Sequence, residues 1–418
     1  MHTAPSSEAS LQQWLDYLLA IHLSEIDMGL ARVSEVARRM SLLTLGAAKV
    51  ITVGGTNGKG TTCVMLESML AQAGKRVGVY SSPHLLRYNE RVRICGQDAS
   101  DAALIAAFCE IEAARGSISL TFFEFATLAA LQLFKAAQLD VVILEVGLGG
   151  RLDATNIIDA DVAVVTAIDL DHQDYLGNTR DAVGYEKAGI FKAGSPAVVG
   201  EPDLPQTVVQ VAKEKGAQLL AVGQAFNYQR TGELWQFHGR FIQVDNLPVP
   251  NLPLPNAATA LAALECLYPA FDQDCIRNGL SLARLTGRFE RVSEHPAIYL
   301  DVAHNPHAAR YLASQMAAFA GRRVLALCGM LKDKDIEGVI QVMSPVVDHW
   351  YITGLDTERG ADADRLSAAM PAGADVHSFA HIDAAWRALS AVMQPDDVVI
   401  VFGSFYTVSG VKSLMNGE

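Results

Sequence analysis

Several things are scarce in this sequence, and each scarcity narrows what the protein can be. Its six cysteines, at positions 63, 95, 109, 266, 275 and 328, form no CxxC pair. Several lie in apolar runs and read as reduced core thiols of a cytoplasmic protein. Basic charge is in deficit: the formal net charge is −13, which argues against a nucleic-acid partner. An acidic substrate would have to be held by local lysines, arginines or metal ions, because the overall field does not attract it. Residues 1–10 lack the basic-then-apolar order of a signal peptide. No apolar run reaches the roughly 18 residues needed to span a membrane. Tandem repeats and low-complexity tracts are absent too.

What is present is apolar and long. Half of the 418 residues are hydrophobic and only 7% are aromatic, a balance that suits a globular α/β protein. The length exceeds one ordinary core, so two domains are expected.

The most informative stretch is Val50-Ile-Thr-Val-Gly54-Gly-Thr56-Asn57-Gly58-Lys59-Gly60-Thr61-Thr62. A β-type run stops at a glycine-rich turn, and a helical pattern starts at the lysine. Glycines let successive backbone N–H groups face an anion, and the helix N-terminus adds its positive dipole end. Lys59 would reach the outer phosphates and a neighbouring hydroxyl a magnesium ion. Gly54 and Lys59 stand one residue closer than in the usual G-x-x-x-x-G-K-[ST], and Gly60 replaces the customary Ser or Thr. The metal hydroxyl must therefore come from Thr61 or from Ser82.

Before this loop, residues 9–20 read as a helix with Leu11, Trp14, Leu15 and Leu18 on one face. Glu25 to Arg32 reads as a substrate lid or a packing loop. After the loop, a helix with Val64, Met65, Met69 and Leu70 stops at Gly74. Lys75–Tyr80 is a strand that runs into Ser81-Ser82-Pro83-His84. Asp101–Arg115 is a helix, and Thr121 with Glu124 forms a capping box opening the next. The apolar runs at 140–146 and 161–168 are buried parallel strands. The first ends at Glu145, the second leads to Asp169-Leu-Asp171-His172. A carboxylate at the end of such a strand is costly unless it meets a cation. A helix carries Glu186 to Lys192. Strands recur at 197–199 and 219–222, and a hairpin turns at His238-Gly239. A proline-rich segment, 248–255, leads to Asn256 and an apolar helix. A polar joint at 286–290 separates residues 1–287 from 288–418. The second part alternates strands and helices and is expected to be Rossmann-like, without a dinucleotide G-x-G-x-x-G. The expected fold is α/β: a mostly parallel P-loop sheet domain, then a smaller Rossmann-like domain.

Open α/β sheets bind ligands at the carboxyl ends of their strands. Lys59 and Thr61, Ser82, Glu145 and His172 all follow strands and are expected on one edge. A hydroxyl and a carboxylate suit magnesium. His172, judged on its residues alone, is a solvated member of an acidic loop. Phe122 and Phe123 could stack a flat heterocycle whose ring N–H groups Glu124 accepts. They read equally as core side chains at a helix start.

In combination, Gly55-Thr-Asn-Gly-Lys-Gly-Thr61, Ser81-Ser-Pro-His84, Thr121-Phe-Phe-Glu124, Glu145 to Asn156, Asp171-His172 and Asp301-Val-Ala-His-Asn-Pro306 resemble the folylpolyglutamate synthase family of the Mur-ligase superfamily. The resemblance covers the chain from about residue 25 onward, and lies nearest the bifunctional bacterial members. It implies ATP-dependent joining of L-glutamate to dihydropteroate and to reduced folates through an acyl phosphate. It implies ATP contacts at Thr56, Asn57, Gly58, Lys59, Gly60, Thr61, Asn256, Arg288 and Asp301. The last two lie past the joint, so both domains would take part in holding the nucleotide. Ser82, Glu145 and His172 match ligands of one or two magnesium ions, with room for a monovalent cation. Lys187 matches a lysine carbamylated by CO₂, although a helix-surface lysine, or its neighbour Lys192, fits the same stretch. With Lys59 and His172 it would form the catalytic set. Thr121, Phe122, Phe123, Glu124, Leu152, Asp153 and Ala154 match pterin contacts. His304 and Ser404-Phe405-Tyr406 match cleft-side positions. A cytoplasmic monomer without nucleic-acid or membrane partners is expected.

Two readings compete within the ligases: a monofunctional polyglutamylase, and a ligase acting on a UDP-sugar peptide, which would more often carry a further domain before the loop. From another class, a P-loop switch would hydrolyse ATP without glutamate, but leaves Asp171-His172 unexplained.

Overall fold

The computed structural model describes residues 3–22, 24 and 26–417. Glu25 of the lid-or-loop segment, and Met1 and His2 of the polar N-terminus, lie outside these. The chain divides into two compact units between Ala283 and Arg284.

The first unit is built on an eight-stranded sheet. Its strands are β1 (Lys49–Gly54), β2 (Val77–Tyr80), β3 (Val92–Ile94), β4 (Gln97–Asp98), β5 (Val141–Glu145), β6 (Val162–Val165), β7 (Pro196–Val199) and β8 (Gln218–Ala221), in the order β4-β3-β2-β5-β1-β6-β7-β8. From β2 to β8 every neighbour is parallel, while β3 and β4 add an antiparallel edge. The inner strands are buried end to end, which is why they are written in Val, Ile and Leu. Register aligns their ends: Val53 lies opposite Glu145, Gly54 opposite Val165, and Tyr80 opposite Leu144. The chain leaves β1 toward β2 on one side and later crosses to β6 on the other. The loop after β1 therefore lies at a switch point, flanked by the ends of β5 and β6.

Helices Leu11–Ala20, Asp101–Arg115 and Phe122–Ala137 bury Trp14, Phe108, Phe125 and Phe134 in one core with Tyr80, Val142 and Leu144. A separate cluster joins Val165 and Val199 to Val183, Phe191 and Val208. Helix Lys59–Gln72 packs so closely on helix Gln273–Leu282 that a Cβ on Gly279 would stand 2.5 Å from the Met69 Cα. A three-stranded antiparallel sheet follows: β9 (Asn227–Thr231), β10 (Leu234–His238) and β11 (Gln243–Pro248).

The second unit holds β12 (Glu290–Ser293), β13 (Ala297–Leu300), β14 (Val324–Cys328), β15 (His349–Thr353), β16 (Asp375–Phe379) and β17 (Val398–Phe402), ordered β12-β13-β17-β14-β15-β16. Only β12 is antiparallel to its neighbour. This is the expected α/β, Rossmann-like arrangement.

Some local expectations change. The helix carrying Lys187 ends at Ala188, not at Lys192. Gly189 sits so tightly on Arg151 that a Cβ there would meet the Arg151 Cβ at 2.2 Å. The helix after the proline-rich stretch starts at Leu254, so Pro255 and Asn256 belong to its first turn, where a missing N–H costs nothing. Cys63 and Cys328 are buried, but Cys95 is exposed at a turn, so not every thiol is a core residue.

Candidate active site

Helix Lys59–Gln72 begins directly after the glycine turn, with Gly58 as its N-cap at φ +89°. A side chain is excluded there twice, by the left-handed backbone and by Asn256, whose Oδ1 would be 2.6 Å from a Cβ. Gly55 is equally constrained: at φ +147° its Cβ would fall 1.9 Å from the Thr166 Oγ1. The loop is laced to the end of β6. Thr56 N donates to Ala167 O, the Thr56 hydroxyl donates to Asp169 O and accepts from Asp169 N, and the Thr166 hydroxyl donates to Asn57 O at 2.6 Å. Thr166 escaped the sequence reading; its signal was a hydroxyl residue closing an otherwise apolar strand. Lys59 Nζ donates to the carbonyls of Gly55 and Thr56, at 3.0 and 3.2 Å. The Thr61 hydroxyl is buried, donates to Gly58 O and accepts from Asn256 Nδ2 at 2.7 Å.

On the neighbouring strand ends, Ser82 N donates to Glu145 Oε2 at 3.2 Å. Glu145 is only 5% exposed. The fully buried Cys63 thiol lies near enough to feel Glu145 and Lys59: burial and the Glu145 carboxylate push it up, and Lys59 opposes them. Lys187 is 4% exposed. Burial and the charge of Lys59 push it down to about 7, against the pull of Asp171 and Asp153. Lys59, Lys187 and Asp171 thus share one electrostatic neighbourhood. His172, the next residue, adopts φ +49°, and its N–H donates to the Asp171 carboxylate. Lys192 is different in kind: it pairs with Asp159 at 2.8 Å and is more exposed.

The donor set fits a hard divalent cation. A buried carboxylate in contact with Ser82 at a phosphate loop offers oxygen ligands, and magnesium takes one or two such groups and completes its shell with phosphates and water. Among the described residues no group of three or more His, Cys, Asp or Glu side chains is arranged to hold a metal.

The Thr121–Glu124 capping box forms as expected: Glu124 Oε2 accepts from Thr121 N at 2.8 Å, and the Thr121 hydroxyl accepts from Glu124 N. The other Glu124 oxygen meets Arg32 at 3.2 Å, and Arg32 also pairs with Asp27. Phe123 is half-buried, 5.8 Å from the Tyr80 ring and against Gly147. Phe122 packs edge-on to Tyr88 and beneath the Arg91 guanidinium. Asp153 is buried and accepts from Gly147 N, Leu148 N, and the Thr155 N and hydroxyl. Leu152 is half-buried and Ala154 buried beside it. Met28 reaches Gly149, so the segment after residue 25 borders this loop.

In the second unit, the Arg288 guanidinium lies over the Phe405 ring, 5.1 Å from its centre. Asp301 accepts from Phe289 N and Ala303 N, each at 2.8 Å. His304 Nδ1 is 2.8 Å from Val302 O, and Ser404 caps the last helix by accepting from Thr407 N. Tyr406 is exposed.

Comparison with known proteins identifies the family. Residues 53–247 match the Mur ligase middle domain and residues 287–405 the Mur ligase glutamate ligase domain. The dihydrofolate synthase/folylpolyglutamate synthase of Escherichia coli K12 is 53% identical over 99% of this chain and 97% of its own length. The chain belongs to the dihydrofolate synthase/folylpolyglutamate synthase family of Mur ligases. The folylpolyglutamate synthase of Lacticaseibacillus casei is 30% identical over 93% of this chain and 96% of its own. Among solved structures, E. coli FolC in complex with DHPP and ADP superposes with a TM-score of 0.96 at 53% identity, covering 99% of both chains. The bifunctional enzyme of Yersinia pestis complexed with AMPPNP and Mn ion gives 0.94 at 52% identity, over 99% of this chain and 100% of that one. The family expected from the motifs is thus the family found.

Proposed function

We propose that this chain is a bifunctional, ATP-dependent amide-forming ligase that joins L-glutamate to dihydropteroate, giving dihydrofolate, and to reduced folates, giving folylpolyglutamates. It acts as a cytoplasmic monomer on small molecules; among the described residues no helix is long and apolar enough to cross a membrane. The observation that carries the reading is the Ser82–Glu145 contact beside the Lys59–Lys187 neighbourhood, on one sheet edge, in a chain 53% identical to a bifunctional relative along nearly its whole length. The 30% identity to a relative named only as a folylpolyglutamate synthase favours the bifunctional reading over the monofunctional one.

A carboxylate is a poor electrophile, so amide formation needs activation. The pterin acid's carboxylate oxygen attacks the γ-phosphorus and ADP leaves. The glutamate amine then attacks the acyl carbon, and phosphate departs as the amine sheds a proton. Backbone N–H groups of Gly58 to Gly60 cradle the phosphates, Thr56 tying the loop to Ala167 and Asp169, and Lys59 swings from its loop carbonyls to meet the charge that develops on the γ-phosphoryl oxygens. Ser82, Glu145 and His172 hold the divalent ion, which when bound neutralises the phosphates and withdraws charge in transfer. A lysine held near neutrality is a nucleophile for CO₂: the Lys187 amine adds to carbon, loses a proton and becomes a carbamate. That exchange turns a cation beside Lys59 into an anion. Phe122, Phe123, Leu152 and Ala154 form the walls of the pterin subsite. Thr121, Glu124 and Asp153 shape those walls, since the two carboxylates already bind their own loops and Arg32.

The test is ADP release with magnesium and each combination of dihydropteroate, tetrahydrofolate and glutamate. Turnover that requires a pterin acid and glutamate together is expected. Turnover with neither would overturn the ligase in favour of a P-loop switch.

A further inference from the structure

One buried ion pair is left unused by this chemistry. Glu67 lies on the helix that begins at Lys59, and its side chain is 9% exposed; Arg93, on β3, is 17% exposed. The guanidinium grips the carboxylate through Nη2 and Nε, at 2.8 and 3.2 Å. Its remaining arm, Nη1, points at the turn after β2, 3.3 Å from the Ser81 hydroxyl and 3.4 Å from Glu90 O. The same turn is closed by Ser81 N donating to Arg91 O, and by Glu90, whose oxygens accept from Leu85, Leu86 and Arg87 N–H groups.

Lys59, Cys63 and Glu67 recur every four residues, so they share one helix face. The buried Cys63 thiol feels Glu145, Arg93, Glu67 and Lys59 together. The pair thus joins the phosphate-loop helix to the residue that precedes Ser82, and Ser82 N rests on Glu145. Apolar side chains of similar volume often replace a buried ion pair without loss of stability. What they could not do is direct a donor at Ser81 while staying anchored to that helix.

We propose that Arg93, anchored by Glu67, is a positioning residue that holds the Ser81–Ser82 turn against Glu145 and so sets the affinity of this edge for its divalent ion. The proposal rests on the assignment of Ser82 and Glu145 to the metal. It is tested by titrating the full-length protein with Mn²⁺ in the presence of AMPPNP, following loss of the free-ion EPR signal, with melting temperature recorded in parallel. Glu67→Leu combined with Arg93→Met removes both buried charges and keeps the volume apolar. Arg93→Lys keeps a charge facing Glu67 but has no second arm for Ser81. Both are expected to weaken Mn²⁺ binding, the double variant by about tenfold. Either variant, folded and binding Mn²⁺ as the unaltered protein does, overturns the proposal. Ser82→Ala separates the two layers. If it leaves Mn²⁺ binding intact, the metal assignment fails; if it weakens binding while the Arg93 variants do not, only the positioning role fails.

Discussion

The proposed metal site has two candidate hydroxyls, and their surroundings separate them. The Thr61 oxygen is already committed to Gly58 O and Asn256 Nδ2 inside the fold. Ser82 stands at the edge beside Glu145. Thr61→Ala should therefore cost about 1 kcal/mol of stability and weaken Mn²⁺–AMPPNP binding less than Ser82→Ala does. A larger loss of metal affinity at Thr61, measured in the same titration, would reverse the assignment. Lys187 makes a pH prediction. Its folded pKa is about 7, below its ordinary value of 10.5, so the unfolded chain binds more protons between those values. The penalty for burying the charge is full below pH 7 and fades as pH rises toward 10.5. In CO₂-free buffer, where the amine is not carbamylated, Lys187→Met should raise the melting temperature at pH 6 by roughly 3–6 °C, and the gain should shrink at pH 9. A gain that does not change with pH would mean that the lysine is not held near neutrality.

At the scale of elements, the phosphate loop is shaped by what it cannot accommodate. Gly58→Ala combines a left-handed residue with a Cβ 2.6 Å from Asn256. It should destabilise by about 1–3 kcal/mol and lower ATP affinity, as read by denaturant unfolding and nucleotide titration. The inner parallel strands were legible in the sequence because burial on both faces makes them continuous apolar runs. The Thr121–Glu124 capping box and Gly116 were legible because caps are local chemistry. Strands β3, β4, β9, β12 and β16 were not: they are short or polar and bury only Val92 among them, so no alternation marks them. Helix Gln273–Leu282 was missed for a related reason: its Gly279 looks like a breaker, and only its contact with Met69 explains it.

At the scale of the whole molecule, the cores of the described residues say where a metal would matter. They are closed by apolar side chains, and the proposed ion site lies apart from them, at the Ser82–Glu145 edge. EDTA is therefore expected to abolish ADP release, with recovery on adding magnesium or manganese, while the melting temperature stays within about 2 °C. A large fall in melting temperature would point to a structural metal instead.

The sequence by itself determined the order of strand, glycine loop, lysine and helix, the buried strands beside them, and the family, because these signals are local or carried by motifs. The tertiary structure alone decided which of those residues meet. Asn256 reaches Thr61 across 195 residues, Ser82 finds Glu145 across 63, and Lys187 nears neutrality because it is enclosed beside Lys59. Such facts depend on the order in which strands line up in the sheet, and on the dielectric that results, and neither is written in any one stretch of chain.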